Sequence, residues 1–338
     1  MKAMRIEGDW GLDNLRMADL PEPAVHPDDV LIRMEAVSIN PRDRILVAGG
    51  YGRMAGPLPL IPLCDGAGRV VEIGTNVKHV ATGDLVCPAY SRTWLEGTAG
   101  PDTHAGSHGG MIDGTAAELM AVPAAAVVKA PSHLDAAEAA TLPCAAVTAW
   151  NAIVETGGVT AGDVVLLQGT GAVSLFALQF AKMRGATAIL ISSSDEKLAR
   201  AKALGADHLI NYRSDPDWQK QTLRLTDGRG VDHIVDIGGG GTLEKSIMAV
   251  RPSGMISLIG VLGGAMSELK LGRVVTRHIR LQGITVGSHA MFERMVDAMA
   301  EHRTRPVLDD ERFQLTDLPS ALDRLPEARH IGKIVGMI

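Results

Sequence analysis

The pattern of hydrophobic and polar positions separates the chain into parts with different periodicity. Residues 1 to about 125 carry short β-type runs broken by turn residues, and helical periodicity is scarce there. From residue 163, continuous apolar runs alternate with helical stretches, as expected of parallel strands covered on both faces. Residues 289–338 predict two helices and a last strand. The pattern predicts an α/β protein with a mostly-β unit and a doubly wound parallel sheet.

The expected elements of the second unit have clear limits. Strands are predicted over 164–167, 188–191, 208–210, 233–237 and 255–259, and helices over 175–184 and 196–204. An earlier helix is expected to open at 131–138, with Ser132 as N-cap and Asp135 near the positive end of the dipole. A late β-rich stretch, 278–286, is expected at a sheet edge, where two-fold pairing with a second copy would give a homodimer.

A glycine motif, Gly169-Thr-Gly-Ala-Val-Ser174, joins one predicted strand to one predicted helix. This is the context that a dinucleotide fingerprint requires. Gly169 permits the tight turn, and Gly171 lets the backbone approach a pyrophosphate held at the helix N-terminus with Ala172 and Val173. The motif predicts a doubly wound dinucleotide-binding domain of the Rossmann type.

The next strand end indicates which cofactor binds. An NAD site usually places Asp or Glu there for the ribose 2′-hydroxyl, whereas this chain has Ser192-Ser-Ser194. Ser193 and Lys197 could instead meet a 2′-phosphate. Asp195 and Glu196 are expected on the first turn of the next helix, away from that phosphate. The sequence therefore predicts NADPH as the cofactor.

Composition and charge exclude several classes of protein. The 338 residues carry a formal net charge of −6, which argues against a nucleic-acid partner. No run reaches the length of a membrane span, and the start does not read as a signal peptide. The three cysteines, Cys64, Cys87 and Cys144, are odd in number and far apart. We therefore expect a cytoplasmic protein without a disulfide framework or membrane partner.

Several further motifs, taken in order, carry a family resemblance. They are Ala36-Val-Ser-Ile-Asn-Pro-Arg-Asp43, Pro62-Leu-Cys-Asp-Gly-Ala-Gly-Arg-Val-Val-Glu-Ile-Gly74, Gly83-Asp84, Ala139-Ala-Thr-Leu-Pro-Cys144 and Leu204-Gly-Ala-Asp-His-Leu-Ile-Asn-Tyr-Arg213. With the glycine motif, they resemble the medium-chain dehydrogenase/reductase superfamily, specifically its zinc-independent quinone oxidoreductase branch. The resemblance implies a GroES-like catalytic domain over 1–129 and 289–338. A Rossmann domain over 130–288 is implied between its two parts, with the active site in the cleft.

The resemblance also implies further cofactor contacts. Asn40 is similar to the residue beside the nicotinamide ribose, Thr148 to the threonine at the nicotinamide ring, and Tyr212 to the tyrosine that joins the lysine at the 2′-phosphate. The nicotinamide side should be lined by backbone at Ile259, Gly260, Val261, Val286 and Gly287.

Zinc is the main alternative within this superfamily. At the positions that match catalytic zinc ligands the chain has Asn40, Cys64, Asp65 and Cys144. Two thiols and a carboxylate could bind zinc by type, but the favoured interpretation is two buried, inert cysteines and no metal. The stretch 91–110, which matches a structural zinc lobe, has no cysteine. It is expected to be a solvated loop despite its Asp102, His104 and His108, with Trp94 as a candidate wall for an apolar substrate.

Without a metal, hydrogen-bond donors must stabilise the charge that hydride transfer creates. Tyr51 matches a cleft tyrosine of the resembled family, so Tyr51 and Asn40 are the candidate catalytic residues, while a second family tyrosine position holds Ile45. Hydride addition to a quinone or an α,β-unsaturated carbonyl suits such a site. Interconversion of alcohols and carbonyls is the second possibility. A non-enzymatic NADPH sensor or structural protein is the third, since fold does not determine function.

Overall fold

The computed structural model describes residues 1–338 and separates into two compact units. Unit 1 comprises Met1–Val147 and Gly287–Ile338, and unit 2 comprises Thr148–Val286. The sequence-based limits, 129/130 and 288/289, differ most at the first crossing. Residues 130–147 stay with unit 1 because their helix packs on strands of that unit, as the contacts below show.

Fifteen strands run through the chain. They are β1 (Lys2–Ile6), β2 (Leu15–Asp19), β3 (Asp29–Ser38), β4 (Asp65–Ile73), β5 (Leu85–Pro88), β6 (Leu119–Pro123), β7 (Val127–Lys129), β8 (Val164–Gln168), β9 (Thr187–Ser192), β10 (His208–Asn211), β11 (Val231–Asp236), β12 (Val250–Leu258), β13 (Arg280–Gly283), β14 (Leu308–Gln314) and β15 (Lys333–Met337).

Ten α-helices accompany these strands. They are α1 (Pro41–Val47), α2 (Ala136–Ala139), α3 (Val147–Trp150), α4 (Ala172–Met183), α5 (Asp195–Ala203), α6 (Trp218–Leu225), α7 (Leu243–Ala249), α8 (Leu271–Thr276), α9 (His289–Glu301) and α10 (Leu318–Arg324). None of the helices is long and apolar enough to cross a bilayer.

Unit 1 is built on a seven-stranded sheet in the order β14-β15-β3-β4-β5-β7, with β6 also paired to β3. Its neighbouring strands are antiparallel, except that β14 runs parallel to β15. The register places Ser38 at the end of β3 opposite Asp65 at the start of β4, and opposite Val335 in β15. Lys333 lies two residues before Val335 and reaches Asp65, so three distant parts of the chain bring polar side chains to one end of this sheet.

Two local features of unit 1 differ from the sequence expectation. The N-cap of the helix after residue 131 is Asp135 and not Ser132. Asp135 accepts from the backbone N–H of Glu138 at 2.8 Å, and Glu138 accepts from that of Asp135 at 3.1 Å. This reciprocal capping box delays the start of α2, which contacts β3, β4 and β5. The strand β14 has no counterpart in the sequence prediction, because most of its residues are partly or fully exposed and so lack an apolar signature.

Unit 2 contains six parallel strands in the order β10-β9-β8-β11-β12-β13. All five strands predicted for this unit are confirmed, and β13 lies at the predicted edge. The stretch predicted as 278–286 forms a ladder only over Arg280–Gly283, since His278 takes a left-handed φ of 53° just before it. The strand order reverses between β8 and β11, the position where doubly wound sheets bind ligands.

Candidate active site

The glycine turn of unit 2 has the geometry of a phosphate-binding loop. Gly169 has a φ of +78°, a conformation that favours glycine, and its N–H donates to Ile191 O at 2.7 Å. Gly171 is the N-cap of α4 and supplies no side-chain cap, and apart from its own chain neighbours no atom lies within 4 Å of the place where its Cβ would be. Open space therefore lies at this helix start, where Ala172 and Val173 occupy the first turn, and the residues fit a bound pyrophosphate.

A buried polar network supports this turn from below, and the sequence analysis did not identify it. Gln168 donates to Asp236 Oδ2 at 3.1 Å and accepts from the N–H of Ile237 at 3.2 Å. Asp236 also accepts from the N–H groups of Gly238 and Gly239 at 3.1 and 3.0 Å. The network links the ends of β8 and β11, so it fixes the two loops that flank the topological switch point.

The end of β9 brings together the residues predicted to select the cofactor. Ser194 caps α5 by accepting from the N–H of Lys197 at 3.3 Å, which leaves Ser193 outside the capping role. The N–H of Tyr212 donates to Ser192 O at 3.0 Å, so Tyr212 follows β10 beside the serine loop. Asp195 lies in the first turn of α5, as predicted, where Asn211 donates to its carboxylate at 2.7 Å.

The other residues predicted to contact the cofactor lie on three segments of the chain. Thr148 is buried in α3 and donates to Thr285 O at 3.1 Å. The N–H groups of Ile259 and Gly260 donate to Asp236 O at 2.9 and 3.5 Å, and Val261 is exposed. Val286 ends unit 2 and accepts from Asn151 Nδ2 at 2.6 Å, whereas Gly287 begins the second part of unit 1.

Unit 1 contains a buried charge cluster around Asp65. One carboxylate oxygen, Oδ1, accepts from the N–H of Cys144 at 2.8 Å. The other, Oδ2, accepts from Ser38 Oγ at 2.9 Å and from Asn40 Nδ2 at 2.8 Å. Lys333 lies 2.8 Å from the same Oδ2 and also donates to Asn40 Oδ1 at 2.8 Å. Asp65 and Lys333 are almost completely buried, so the ammonium neutralises a carboxylate that water cannot reach.

The residues that could ligate a metal lie close together but fit an ion poorly. Ligand atoms of Cys64, Asp65 and Cys144 lie within 4.8 Å of one another. Asn40, at the first of the matching positions, offers no thiol or imidazole, and its side-chain Nδ2 donates to Asp65 Oδ2 at 2.8 Å. Both oxygens of Asp65 already accept hydrogen bonds, and the Lys333 ammonium lies 2.8 Å from Oδ2, where it would repel a metal cation. This donor set therefore disfavours a divalent cation.

Beside the thiols, Arg42 packs against two tyrosine rings. Its guanidinium carbon lies 5.0 Å from the ring centre of Tyr90 and 5.9 Å from that of Tyr51. Burial raises the pKa of Tyr51, although the neighbouring guanidinium opposes this effect by charge and by hydrogen bonding. The predicted donor Tyr51 therefore remains a neutral phenol at physiological pH and lies next to a fixed positive charge.

The loop 91–110 is solvated only in part. Asp102 and His104 are exposed as expected, but His108 is 2% exposed, with Nδ1 3.1 Å from Asp113 O, and burial lowers its pKa to about 4. The expectation of a solvated loop is wrong for His108, because its N–H donates to Tyr90 O at 3.0 Å and the next residue, Gly109, packs against the backbone of Leu63. Trp94 is 7% exposed and donates to Gly97 O at 3.1 Å, so a substrate meets little of its ring in this conformation.

Comparison with known proteins decides the family. Residues 26–132 match the alcohol dehydrogenase GroES-like domain, and residues 172–301 match the family described as zinc-binding dehydrogenase. A zinc-type alcohol dehydrogenase-like protein of Schizosaccharomyces pombe is 39% identical over 332 residues, which are 96% of this chain and 95% of the relative. The chain belongs to the medium-chain dehydrogenase/reductase superfamily.

Other members of the medium-chain dehydrogenase/reductase superfamily widen this comparison. A 2-methylene-furan-3-one reductase of Solanum lycopersicum is 29% identical over 338 residues, which are 99% of this chain and 78% of the relative. A solved NAD-dependent alcohol dehydrogenase superposes with a TM-score of 0.90 at 33% identity and full coverage of both chains. The predicted combination of a GroES-like domain and a Rossmann domain is confirmed, and the chain is an oxidoreductase. A relative from Danio rerio is named an NAD(P)H oxidoreductase and is 29% identical over 353 residues, which are 93% of this chain and 84% of the relative.

Several site residues of this superfamily member were missed by the sequence analysis. Lys333, Asp236 and Tyr90 received no role, and Arg42 was quoted only as part of the Asn-Pro motif. A lysine at the start of a strand carries no local signal that it is buried. The sequence did offer one signal for Arg42. It is a charged residue directly after the Asn-Pro dipeptide, two positions from the candidate residue Asn40.

Proposed function

We propose that this chain is an NADPH-dependent oxidoreductase that transfers hydride without a metal ion to a quinone or an α,β-unsaturated carbonyl. The observation that carries the proposal is the pairing of Asp65 with the buried Lys333 at 2.8 Å. In this arrangement an ammonium supplies the positive charge that a metal would otherwise contribute, and Asn40 binds both members of the pair. The negative charge of Asp65 is thus balanced by Lys333 without a metal ion.

The chemistry follows from what the residues offer. Bound NADPH supplies the hydride. A quinone or enone accepts it at carbon, and the negative charge that develops on oxygen needs hydrogen-bond donors. Tyr51 is a neutral phenol that can donate, and water can protonate the product. Alcohol oxidation would need a Lewis acid or a strong base, which this donor set does not favour.

The preference for NADPH is supported by the end of β9. Ser193 and Lys197 lie at the position where an NAD site usually has a carboxylate, and Tyr212 lies beside the same loop. The Asp195 carboxylate accepts a hydrogen bond from Asn211, so it is engaged there and is not the carboxylate that an NAD site would offer to the ribose. A 2′-phosphate would therefore meet a lysine and hydroxyl groups instead of an acidic residue.

Alcohol dehydrogenation is the second candidate function, and the close group of Cys64, Asp65 and Cys144 favours it. The names of the relatives from Schizosaccharomyces pombe and of the NAD-dependent structure point the same way. It would require a zinc ion on the two thiols. We also propose a homodimer formed through the exposed edge of β13.

One set of measurements separates these functions. Elemental analysis of the purified protein should show no stoichiometric zinc, and EDTA should leave the oxidation of NADPH by an enone or a quinone unchanged. One tightly bound zinc per chain, together with alcohol oxidation by NAD⁺, would replace the proposal by alcohol dehydrogenation. Binding of NADPH without turnover on any quinone, enone or aldehyde would leave a sensor or structural role.

A further inference from the structure

Arg42 is a largely buried charged residue of unit 1 that takes no part in the hydrogen-bond network around Asp65. It is the second residue of α1, and its side chain is 16% exposed. Its ion pair with Asp43 is long at 3.5 Å and is made by the Nη1 atom. A guanidinium has five N–H donors, and the contact with Asp43 uses one of them.

The carboxyl group closest to the Arg42 guanidinium makes only one long contact with it. Lys333 pairs with Asp65 at 2.8 Å, which leaves Asp43 as the carboxyl nearest to the guanidinium. Asp43 Oδ2 already accepts from the N–H of Asn40 at 2.8 Å, so the contact with Arg42 is made by Oδ1. Arginine stays protonated at any physiological pH. The Arg42 guanidinium is therefore a permanent cation with N–H donors that this contact does not use.

The guanidinium is also fixed in orientation. It lies 5.0 Å from the Tyr90 ring centre and 5.9 Å from that of Tyr51. On another side, Arg42 Nη2 would be only 2.9 Å from a Cβ at position 110, so the plane packs directly on Gly110. A planar cation between aromatic faces is suited to a planar, conjugated anion, because its parallel N–H groups can donate in one plane.

We propose that Arg42 binds the substrate oxygen on which negative charge develops, so that the substrate class is planar conjugated carbonyl compounds whose reduced form is an enolate or phenolate. This assignment rests on the proposed function. The hydride of NADPH brings two electrons to the β-carbon or ring carbon, and the conjugated π pair moves to the carbonyl oxygen. Arg42 donates to that oxygen, water delivers the proton that completes the product, and NADP⁺ remains.

Binding of a planar anion tests the assignment without turnover. Benzoate titrated calorimetrically into the NADP⁺-loaded wild-type protein should bind, and Arg42→Met should weaken this binding about 10-fold or more. The matched control is Arg44→Met, since Arg44 lies on the same helix but is paired with Asp323. Equal affinity in Arg42→Met and wild type, or no benzoate binding by wild type, would overturn the assignment.

Kinetics give the second measurement. With an enone, Arg42→Met should lower kcat by about 10²-fold, while KM for NADPH stays near wild type. Arg42→Lys, which keeps the charge but loses the planar fork, should recover part of kcat and serves if Arg42→Met does not fold. An unchanged kcat in Arg42→Met and Arg42→Lys would contradict the role of Arg42. A wild-type protein inactive with every quinone and enone would instead contradict the proposed function, and the benzoate titration would still decide on Arg42.

Discussion

At the scale of single residues, we expect the buried salt bridge between Lys333 and Asp65 to have the largest effect on stability. Lys333→Met removes the ammonium and leaves the Asp65 carboxylate buried without its charge partner. The loss of stability should be about 3–5 kcal/mol, seen as a lower urea midpoint for unit 1. The double variant Lys333→Met, Asp65→Asn removes both charges and should recover most of the lost stability. A single variant as stable as the double variant would show that the pair carries no such coupling.

Cofactor choice also belongs to the residue scale. Lys197→Ala should raise KM for NADPH about 10-fold or more and leave KM for NADH nearly unchanged, because a contact with a 2′-phosphate is worth about 1.5–3 kcal/mol. Lys202→Ala is the control, since Lys202 lies on the same helix but donates to Asp207 O at 3.0 Å. Wild-type KM values that are equal for NADPH and NADH would remove the basis of the preference.

At the scale of elements, the strands β11 and β12 share a buried histidine that makes unit 2 sensitive to acid. His233 Nε2 lies 2.9 Å from Ser257 Oγ on the neighbouring strand. Burial lowers the pKa of His233 to about 4, and the charge of Arg280 adds to this effect. The unfolded chain has the ordinary histidine pKa of about 6.5, so it binds the proton more readily than the fold does between these two values.

Acid should therefore destabilise unit 2 through His233. Its folded-state pKa lies below the unfolded value, so full stability is present above about pH 6.5 and falls as the pH drops toward 4. The loss of unfolding free energy amounts to at most about 3.4 kcal/mol, at about 1.36 kcal/mol for each unit of pKa difference. Thermal unfolding followed between pH 7.5 and 4.5 should have a flatter pH profile in His233→Gln. The exposed His302→Gln should keep the wild-type profile, and equal slopes in all three proteins would be inconsistent with this account.

The edge strand β13 was predicted from the sequence in its position but not in its length. The apolar run and its late position were enough to place the strand of 280–283 at an edge, because doubly wound sheets add late strands outward. Its short length was not predictable. It depends on where hydrogen bonds to β12 stop, and this is set by the left-handed turn at His278 and by the register with Met255–Leu258.

At the scale of the whole molecule, the orientation of this edge determines the test of the homodimer. The N–H of Ile284 donates to Leu258 O at 2.9 Å. Because donors alternate in direction along a strand, the N–H of Gln282 also faces β12 and that of Leu281 faces the open edge. Leu281→Pro should then remove an outward donor with little damage to the sheet of its own subunit.

Light scattering at micromolar concentration measures the outcome. Wild type should have twice the 35.6 kDa mass of one chain, and Leu281→Pro should shift the protein toward the monomer. Gln282→Pro is the matched variant, since it removes a bond inside the sheet and should lower the melting temperature more than Leu281→Pro does. A clean monomer mass for wild type would refute the dimer.

What the sequence by itself determined is local in range. The glycine turn, the serine loop after β9 and the alternation of strands and helices are each visible in a window of about 20 residues, because backbone hydrogen bonding and burial act on neighbours. The same is true of the Asn-Pro motif that opens α1. These patterns were sufficient for the fold class and for the candidate dinucleotide site.

Only the tertiary structure decided the charge balance of the candidate site. Lys333 meets Asp65 although 268 positions separate them, because β15 pairs with β3 and β3 pairs with β4 in one particular register. Arg42 lies between Tyr51 and Tyr90 because a helix start and two loops converge on one end of the sheet. Such contacts depend on strand register, and a shift of one residue would turn each side chain to the opposite face. The sequence therefore contains the charged residues, but the sheet determines which of them neutralise one another.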